Sequence, residues 1–409
     1  MSRHNGAVKI AVLGATGSIG DSTLDVLKRH ASHFEVTLLT AHRNGEKLAK
    51  LVNEWQPRHV AVSDPDCFLD VKNRLRLHTE VAKNVCLHAG MSAISDLCAS
   101  DDVDVVVAGM VGSAGVEPVL AAAEAGKTIL LANKETLVMA GDIVMRTARD
   151  NQARIIPLDS EHNAIYQCLP DDYHCGQTPP AVEKLILTAS GGPFWNEPPE
   201  NFPAITPEQA CCHPKWNMGQ KISVDSATLM NKGLELIEAH WLFNLPAEKL
   251  DVHVHPQSLV HSLVAYEDGS LLAQLGEPDM RIPIAYGLGQ CVPADEQTAP
   301  RRLPSGARML DLLAHGTLTF HPPDDARFPS IRLARNTIEA GGILPAVLNA
   351  SNEEAVQAFL DGRIGFHQIA QINARILEKT GNTAVESFEH LRQIDVEVRT
   401  LAQKEIHHA

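Results

Sequence analysis

The first part of the chain alternates continuous apolar runs with segments of helical periodicity. The apolar runs cover residues 8–14, 34–41, 59–64, 103–110, 128–133 and 154–158. Helical periodicity follows the first two runs, at 19–30 and 45–54. Continuous apolar runs are typical of strands that are buried on both faces of a parallel sheet. The alternation therefore predicts an N-terminal α/β domain with a doubly wound, Rossmann-like parallel sheet over residues 1–157.

The pattern changes in the central part of the chain, residues 158–300. Strand-like runs at 185–190, 250–255 and 258–276 predict an α+β region with an antiparallel sheet, in which an Asp-Gly pair marks a hairpin turn. Residues 224–243 predict one strong helix. Its apolar face is formed by Met230, Leu234, Ile237 and Trp241.

Two further segments complete the expected organisation. Residues 193–219 contain six prolines and little periodicity, so we expect a functional segment that is mobile in the free protein. Residues 301–330 predict a proline-rich linker. From 331 to 409 the periodicity is helical, which predicts a C-terminal helical bundle.

The composition limits the classes of partner. The chain has 409 residues and a net charge of −15, which argues against a general affinity for nucleic acid. It has no run of 18 apolar residues and no signal-peptide pattern, so we expect no membrane partner and a cytoplasmic location. Its eight cysteines form no CxxC pair and are expected to be free thiols.

The segment GATGSIG (14–20) lies between the first strand and the first helix. Glycines there permit a tight turn and bring main-chain N–H groups close to a pyrophosphate. The strand–loop–helix context favours dinucleotide binding, although the spacing GxxGxxG leaves a structural glycine turn as the alternative. The candidate contacts are Gly14, Thr16, Gly17, Ser18 and Ile19.

The second strand is followed by His42, Arg43 and Asn44. Sites for NAD usually have an acid here, which binds the ribose 2′-hydroxyl. Arg43 instead favours a 2′-phosphate and therefore NADP(H). The alternative is a solvated surface arginine.

Polar residues also follow the strands at 128–133 and 154–158, where ligand crevices of such sheets open. Lys134, flanked by Asn133 and Glu135, is expected near the nicotinamide or in an ion pair at a helix start. Asp159 and Glu161, on either side of Ser160, fit two interpretations. They begin a helix, or they form a metal or acid/base site.

The predicted helix at 224–243 adds a second polar set. Asn231 and Glu235 are one turn apart, with Lys232 beside them, and such a set is usually solvated. If Glu235 converges with Asp159 and Glu161, the three carboxylates suit Mg²⁺ or Mn²⁺ better than zinc.

A phosphate site is the other possibility for this part of the chain. Ser190 ends a strand, Ser226 is expected to open the helix, and Asn231 and Lys232 follow one turn later. Two hydroxyls, an amide and an ammonium can hold one phosphate without a P-loop.

Taken together, the motifs resemble one family, the 1-deoxy-D-xylulose 5-phosphate reductoisomerases. The matching strings are GATGSIG, LLANKE, PLDSEHNAI, SGGPF, HPKWNMG, KISVDSATLMNKGLELIEAHWLF, HPQSLVHS and LAQLGEPDMR. They extend from residue 14 to residue 281. The resemblance implies NADPH on the N-terminal domain and Mg²⁺ or Mn²⁺, with Co²⁺ as a further option, on Asp159, Glu161 and Glu235.

The resemblance also implies roles for residues that spacing alone does not assign. It implies a cofactor contact at Gly219, and catalytic roles for Lys134 and Glu161. The implied substrate contacts are Ser160, Glu161, Ser190, His213, Trp216, Ser226, Asn231, Lys232, Glu235 and Met280. The proline-rich segment then corresponds to a flap that closes over substrate, with Trp216 as its lid and Met218 nearby.

The implied activity is a metal-dependent rearrangement and NADPH reduction of a phosphorylated sugar, by a bacterial homodimer whose dimerisation sheet lies within residues 158–300. Two alternatives belong to other classes. An NADP-binding sensor would not need the three acids together with the phosphate set. A plain NADP-dependent semialdehyde or hydroxy-acid dehydrogenase would not isomerise its substrate, and no cysteine here lies in a convincing nucleophile context.

Overall fold

The computed structural model describes residues 6–76, 85–212, 219–292 and 302–408. Contacts between residues divide the chain into two compact units. The first comprises the described residues within Met1–Thr136, Val144–Asn163 and Asp279–Arg308. The second comprises those within Leu137–Ile143, Ala164–Pro278 and Met309–Ala409. None of the helices in the described parts of the chain is long and apolar enough to cross a membrane.

The first unit is built on the predicted parallel sheet. Its strands are β1 (Val8–Leu13), β2 (Phe34–Ala41), β3 (His59–Val62), β4 (Cys86–Ala89), β5 (Val105–Ala108), β6 (Thr128–Leu131) and β7 (Arg154–Pro157). The strand order is β4-β3-β2-β1-β5-β6-β7, and every pairing is parallel. Strand β1 pairs with β2 on one side and with β5 on the other. The strand order therefore reverses beside β1, where α/β sheets of this kind bind ligands.

Helices connect these strands, as the parallel pairings require. They are α1 (Ser18–Arg29), α2 (Gly45–Trp55), α3 (Phe68–Arg76), α4 (Met91–Ala99), α5 (Val116–Glu124) and α6 (Lys134–Asp150). Helix α7 (Ser160–Cys168) follows β7, and α11 (Arg281–Gly289) packs on α1. Except for the edge strand β4, the strands are almost wholly buried, which explains their uninterrupted apolar sequences.

The second unit contains a four-stranded sheet. Its strands are β8 (Val182–Ala189), β9 (Leu250–Val254), β10 (Val260–Tyr266) and β11 (Leu271–Leu275), in the order β11-β10-β8-β9. The predicted antiparallel pairing and Asp-Gly hairpin are confirmed for β10 with β11, and β10 also pairs antiparallel with β8. The pairing of β8 with β9 is parallel, so the sheet is mixed. Helices intervene between these two strands, and such a crossover permits parallel pairing.

The predicted single helix over 224–243 is wrong in one respect, because the structure contains two helices there. They are α9 (Gln220–Ala227) and α10 (Met230–Phe243). Leu229 adopts a left-handed conformation with φ +58° between them. The hydroxyl of Thr228 donates to the main-chain carbonyl of Val224 at 3.1 Å, so it satisfies the end of α9. Ser226 consequently lies in the last turn of α9 and does not open a helix.

The predicted helical end of the chain is confirmed. Its helices are α13 (Ser330–Ala340), α14 (Leu344–Leu360), α15 (Gln368–Lys379) and α16 (Phe388–His407). A short helix, α12 (Leu312–His315), lies in the segment predicted to be a linker. Helix α14 packs on α13, α15 and α16 and is buried along most of its length. It therefore forms the centre of this helical region.

Residues 193–212 of the proline-rich segment are better anchored than their sequence suggests. Residues 193–212 include a short helix, α8 (Pro207–Ala210), and bury Phe194, Phe202 and Ile205. Phe202 contacts the rings of Phe328 and Phe366. Widely spaced aromatic anchors therefore replace the missing periodicity in residues 193–212, and the mobility of the segment stays a prediction. Residues 213–218 lie outside the described residues.

Candidate functional site

The glycine loop after β1 has the geometry of a close-approach site. Gly14 has φ +72°, and a Cβ there would lie 2.6 Å from the carbonyl oxygen of Gly109. A Cβ on Gly20 would lie 2.4 Å from the carbonyl oxygen of Ala15. Helix α1 starts at Ser18, directly after Gly17, without a side-chain cap. An uncapped helix start behind a tight glycine turn suits an anion such as a pyrophosphate.

Arg43 lies two residues after the end of β2, and its side chain is 72% exposed. Its Nε is 2.6 Å from Oδ2 of Asp64, and this ion pair holds the pKa of the Asp64 carboxyl below its ordinary value. His42 hydrogen-bonds the Ser63 hydroxyl at 2.9 Å, and Asn44 caps α2. The guanidinium is thus held at the carboxyl end of the sheet, where its remaining N–H groups face solvent.

Asn133 and Lys134 begin helix α6 after β6. The Asn133 side chain accepts from the main-chain N–H of Thr136 at 3.0 Å and donates to the carbonyl of Gly112 at 2.9 Å. The ammonium of Lys134 lies 2.8 Å from Oδ2 of Asp159, and both side chains are largely buried. The helix-start ion pair considered for Lys134 is therefore present, and its partner is one of the proposed metal ligands. Glu135 is also buried.

Asp159, Ser160 and Glu161 form a compact polar turn between β7 and α7. Oδ1 of Asp159 accepts from the main-chain N–H of Ser160 at 2.9 Å, and the Ser160 hydroxyl donates to the Glu161 carboxylate. The carbonyl of Asp159 accepts from the main-chain N–H of Asn163 at 2.8 Å. The helix-start interpretation is therefore supported, and the metal or acid/base interpretation is not excluded, since both carboxylates lie at this helix start.

In the second unit, the loop after β8 packs on the last turn of α9. Gly192 has φ +69°, and its main-chain N–H donates to the Ser190 hydroxyl at 3.2 Å. A Cβ on Gly192 would lie 2.6 Å from the carbonyl oxygen of Ser226. The sequence pair Gly191-Gly192 therefore permits a contact that holds the Ser190 loop against Ser226.

Helix α10 brings together the predicted polar set. Both Asn231 and Lys232 donate hydrogen bonds to the carboxylate of Glu235. Glu235 is 1% exposed and Lys232 is 3% exposed, so the ordinary expectation of a solvated cluster is wrong. A buried carboxylate and ammonium are stable only when they pair, because desolvation penalises each charge alone. This arrangement supplies a carboxylate, an amide and an ammonium within one helical turn.

The remaining predicted residues fall into two groups. His213, Trp216 and Met218 lie outside the described residues. Gly219 precedes α9, and its carbonyl accepts from both the main-chain N–H and the hydroxyl of Ser223 at 3.0 Å. Met280 precedes α11 in the first unit.

The sequence did not indicate two acids that contact or adjoin predicted site residues. Asp64, which pairs with Arg43, follows the third strand and is distinguished by no motif. Asp225, which precedes Ser226, accepts a hydrogen bond from the side chain of Asn352, 127 residues further along the chain. The position of Asp64 shortly after a predicted strand could have indicated it as a site residue. No feature of the sequence connects Asp225 with Asn352.

The sheet and the glycine loop define a class, the α/β proteins with a Rossmann-like nucleotide-binding unit. Comparison with known proteins narrows that class. Models of 1-deoxy-D-xylulose 5-phosphate reductoisomerase match residues 10–141, and models of its C-terminal regions match 155–243 and 275–401. The chain belongs to the 1-deoxy-D-xylulose 5-phosphate reductoisomerase family.

Individual relatives agree with this assignment. The chain is 50% identical over 401 residues to the 1-deoxy-D-xylulose 5-phosphate reductoisomerase of Cupriavidus pinatubonensis, covering 97% of this chain and 96% of that protein. It is 51% identical over 396 residues to the enzyme so named from Burkholderia cenocepacia, covering 96% and 95%.

Solved structures of the same family are also similar. The reductoisomerase from Zymomonas mobilis in complex with NADPH has a TM-score of 0.88 and 42% identity, covering 98% of this chain and 99% of that one. A reductoisomerase in complex with NADPH, fosmidomycin and magnesium has a TM-score of 0.88 and 41% identity, covering 98% of each chain.

Proposed function

We propose that this protein is an NADPH- and metal-dependent reductoisomerase that converts 1-deoxy-D-xylulose 5-phosphate to 2-C-methyl-D-erythritol 4-phosphate in isoprenoid biosynthesis. The observation that carries the proposal is the turn after β7, in which the Asp159 carboxylate accepts from the main-chain N–H of Ser160, Glu161 accepts from its hydroxyl, and Lys134 pairs with Asp159. Family membership supplies the identity of the reaction.

The first unit is proposed to bind the cofactor. Gly14 admits a close approach, and the uncapped start of α1 offers main-chain N–H groups to the pyrophosphate. Arg43 is proposed to bind the 2′-phosphate, because an arginine forms charge-assisted hydrogen bonds with phosphate. When bound, NADPH would supply the hydride. Further proposed contacts are Thr16, Gly17, Ser18, Ile19, His42, Asn44, Asn133, Lys134, Glu135 and Gly219.

Asp159, Glu161 and Glu235 are proposed to hold the divalent cation. An all-oxygen carboxylate set fits Mg²⁺ or Mn²⁺, in agreement with the magnesium in the related complex. When bound, the cation would act as a Lewis acid that polarises the substrate's carbonyl oxygen. Two of the ligands already have cationic neighbours in the structure, Lys134 at Asp159 and Lys232 at Glu235. These ammonium groups stabilise the carboxylates when the cation is absent.

The chain's own side chains would orient the substrate. Ser190, Ser226, Asn231 and Lys232 are proposed to bind its phosphate, and the Gly192 contact supports this by joining the Ser190 loop to Ser226. Binding energy from the phosphate, remote from the reacting carbons, is then available for orientation. His213, Trp216 and Met280 are proposed as further substrate contacts, and Ser160 as a contact to the substrate hydroxyls.

We further propose a division of labour along the chain. Residues 1–157 would bind NADPH, 158–300 would carry the metal and substrate site with the flap at 193–219, 301–330 would link, and 331–409 would form the helical domain. A homodimer is proposed through the sheet of the second unit, because β11 forms an edge of that sheet and exposes Leu271 and Leu272. A cytoplasmic location in a bacterium is also proposed, since the similar reductoisomerases come from bacteria.

The decisive experiment is anaerobic turnover of 1-deoxy-D-xylulose 5-phosphate with NADPH, followed by product identification. We expect oxidation of NADPH with formation of the branched product, complete loss of both in EDTA, and recovery with added Mg²⁺. A plain dehydrogenase would give an unbranched alcohol. Formation of that alcohol, or turnover that EDTA leaves unchanged, would contradict the proposed function.

A further inference from the structure

A cavity of about 240 Å³ lies in the second unit, beside the middle of helix α6. Its wall is formed by α6, by the last turn of α10, by the beginning of α14, and by residues on either side of the start of α16. The apolar side chains in this wall include Val138, Met139, Trp241, Pro345, Val385 and Leu391. None of the described residues that line the cavity is proposed above to bind substrate, cofactor or metal, so the cavity is not part of the proposed active site.

Helix α6 bends where it forms one wall of the cavity. Ala140 has φ −134° and ψ +28°, which are not helical values, although the helix continues to Asp150. A Cβ on the next residue, Gly141, would overlap the indole ring of Trp241. Sharp bends in helices have local causes such as a glycine or an inserted side chain. The bend and the glycine together therefore admit the Trp241 ring, which forms part of the cavity wall.

Hydrogen bonds hold another part of the wall in place. The main-chain N–H of Ile343 donates to the carbonyl of Thr383 at 3.0 Å. The side chain of Asn382 donates to the carbonyl of Ala340 at 2.9 Å. These two contacts fasten the segment that carries Ala384 to the turn between α13 and α14. The cavity is therefore formed in the free protein and does not need a ligand to open it.

The size and lining of the cavity indicate the kind of molecule that it would hold. A cavity of about 150 Å³ with an aliphatic and aromatic lining stays dry and binds benzene. On the same scale, a cavity of this size admits an apolar molecule of roughly ten carbon or nitrogen atoms. Among the described residues of the lining, the charged side chain is that of Asp142, an acid, which disfavours an anion. A bicyclic, uncharged aromatic molecule meets both requirements.

We propose that this cavity binds one small uncharged aromatic molecule, and that the bound molecule weakens the binding of the divalent cation. The second part rests on the proposed function, in which Asp159 is a ligand of that cation. Val138 lies one helical turn after Lys134, on the same face of α6. A molecule packed against Val138 and the bend would hold the first turns of α6 in their present orientation. Lys134 would then stay paired with Asp159, and its ammonium competes with the cation for this carboxylate.

Calorimetric titration of the full-length protein with indole tests the binding site. We expect one indole to bind per chain, and indole-3-acetate, which adds a carboxylate, to bind at least about tenfold more weakly. Ala384→Leu adds an isopropyl group at an exposed position of the cavity wall and should weaken indole binding at least about tenfold. Ala314→Leu, at an exposed alanine of α12, is the matched control and should bind indole as the wild type does. Circular dichroism should show that both variants are folded.

The effect on the cation is measured in the same titration and in turnover. Saturating Mg²⁺ should weaken indole binding at least about fivefold, and saturating indole should raise the Mg²⁺ concentration for half-maximal turnover by the same factor, because coupling between two sites is reciprocal. At saturating Mg²⁺, indole should change the KM for substrate and for NADPH by less than about twofold. In Ala384→Leu, indole should have no effect on turnover.

The possible failures are distinguishable. The binding site is overturned if the wild type binds no indole, or if Ala384→Leu binds it as tightly as the wild type. The coupling is overturned if Mg²⁺ leaves indole binding unchanged, or if indole raises the KM for substrate in direct competition. Absence of turnover without indole, or turnover that EDTA leaves unchanged, would contradict the proposed function alone, because calorimetry still decides whether the cavity binds indole.

Discussion

The side-chain amide of Asn352 donates a hydrogen bond to Oδ1 of Asp225 at 2.7 Å, in the interior of the second unit. Asp225 is 1% exposed and Asn352 is fully buried. The other carboxylate oxygen of Asp225 is 2.9 Å from the ammonium of Lys221, and Asn373 donates to Asn352 at 3.0 Å. Because Asp225 directly precedes Ser226, the helices α14 and α15 help to hold a residue proposed to bind phosphate.

Asn352→Ala is expected to destabilise the protein, because it leaves the Asp225 carboxylate buried with one donor fewer. We expect the free energy of unfolding to fall by about 1–3 kcal/mol. The KM for the phosphorylated substrate should rise, since Ser226 follows the affected residue, while NADPH affinity should remain near the wild-type value. Urea unfolding and steady-state kinetics measure these effects.

Gln357 provides the matched control on the same helix. It donates to Asp361 at 2.7 Å on the exposed surface. Gln357→Ala should change the free energy of unfolding by less than about 0.5 kcal/mol, as surface substitutions usually do. If the two substitutions lowered the free energy of unfolding equally, burial of the Asn352–Asp225 hydrogen bond would make no special contribution to stability.

The three acids proposed to bind the metal give a second prediction. Asp159→Asn, Glu161→Gln and Glu235→Gln should each lower kcat by at least about 10²-fold, because each removes a charged oxygen ligand. Glu248→Gln, at an exposed acid after α10, should leave kcat unchanged. Turnover at saturating Mg²⁺ measures the effect, and a normal rate in any of the three variants would remove that residue from the ligand set.

Two of these variants should also be less stable than the wild type, because the replaced acid pairs with a lysine. Lys134 pairs with Asp159 and Lys232 pairs with Glu235, so neutralising either acid leaves a largely buried ammonium without its carboxylate. Both variants should therefore lose stability in metal-free buffer.

The sequence predicted the architecture well where hydrophobic pattern alone decides it. The six continuous runs became six of the seven strands in the parallel sheet, and the periodic end became helices α13–α16. Strand β4, which has no such run, was not predicted. The sequence failed at Leu229, because the left-handed break depends on a local hydroxyl contact that periodicity does not encode. It also did not reveal the aromatic anchors of residues 193–212, because their partners lie more than a hundred residues away along the chain.

The candidate site shows the same limit. Motifs identified the glycine loop, the acids and the Asn231-Lys232 pair as chemically interesting. They did not predict that Glu235 and Lys232 are buried, nor that Lys134 pairs with Asp159. Those properties arise from long-range packing, which one sequence records only as scattered apolar residues.

Arg43 and Asp64 allow a prediction about cofactor selectivity. Arg43→Ala should raise the KM for NADPH by the equivalent of about 1–3 kcal/mol, while the KM for NADH barely changes. Asp64→Asn should instead lower the KM for NADPH, because it removes the carboxylate that competes with the 2′-phosphate for the guanidinium. Steady-state kinetics with both cofactors test this. Equal weakening of NADPH and NADH in Arg43→Ala would make Arg43 a structural residue.

The lowered pKa of His88 predicts that the free energy of unfolding decreases in acid. Burial and His59 hold its pKa below the ordinary value of 6.5, so the native state resists protonation more than the unfolded chain does. The contribution is complete above pH 6.5 and is lost as the pH falls below that value. His88→Gln should therefore flatten the decline in unfolding free energy on acidification. Urea titrations at several pH values measure this. If the free energy of unfolding fell equally steeply with pH in His88→Gln and the wild type, His88 would not cause the loss.

Gly192→Ala is the sharpest probe of the proposed phosphate site. The new Cβ would lie 2.6 Å from the carbonyl oxygen of Ser226 and 3.0 Å from Cα of Ala227, and Gly192 has φ +69°. Because both obstacles are main-chain atoms, the Ser190 loop must move away from Ser226. We expect the KM for the phosphorylated substrate to rise at least about tenfold, which corresponds to roughly 1.4 kcal/mol.

The cofactor serves as an internal reference for Gly192→Ala. Binding of NADPH, measured by fluorescence titration, should stay within about twofold of the wild type, because the glycine loop belongs to the first unit. Gly269→Ala, at a glycine with φ +86° and open space around its Cβ position, imposes backbone strain without the steric contact. It should leave the KM for substrate unchanged. If the two variants raise that KM equally, strain in the second unit alone explains the effect, and Ser190 and Ser226 need not act together.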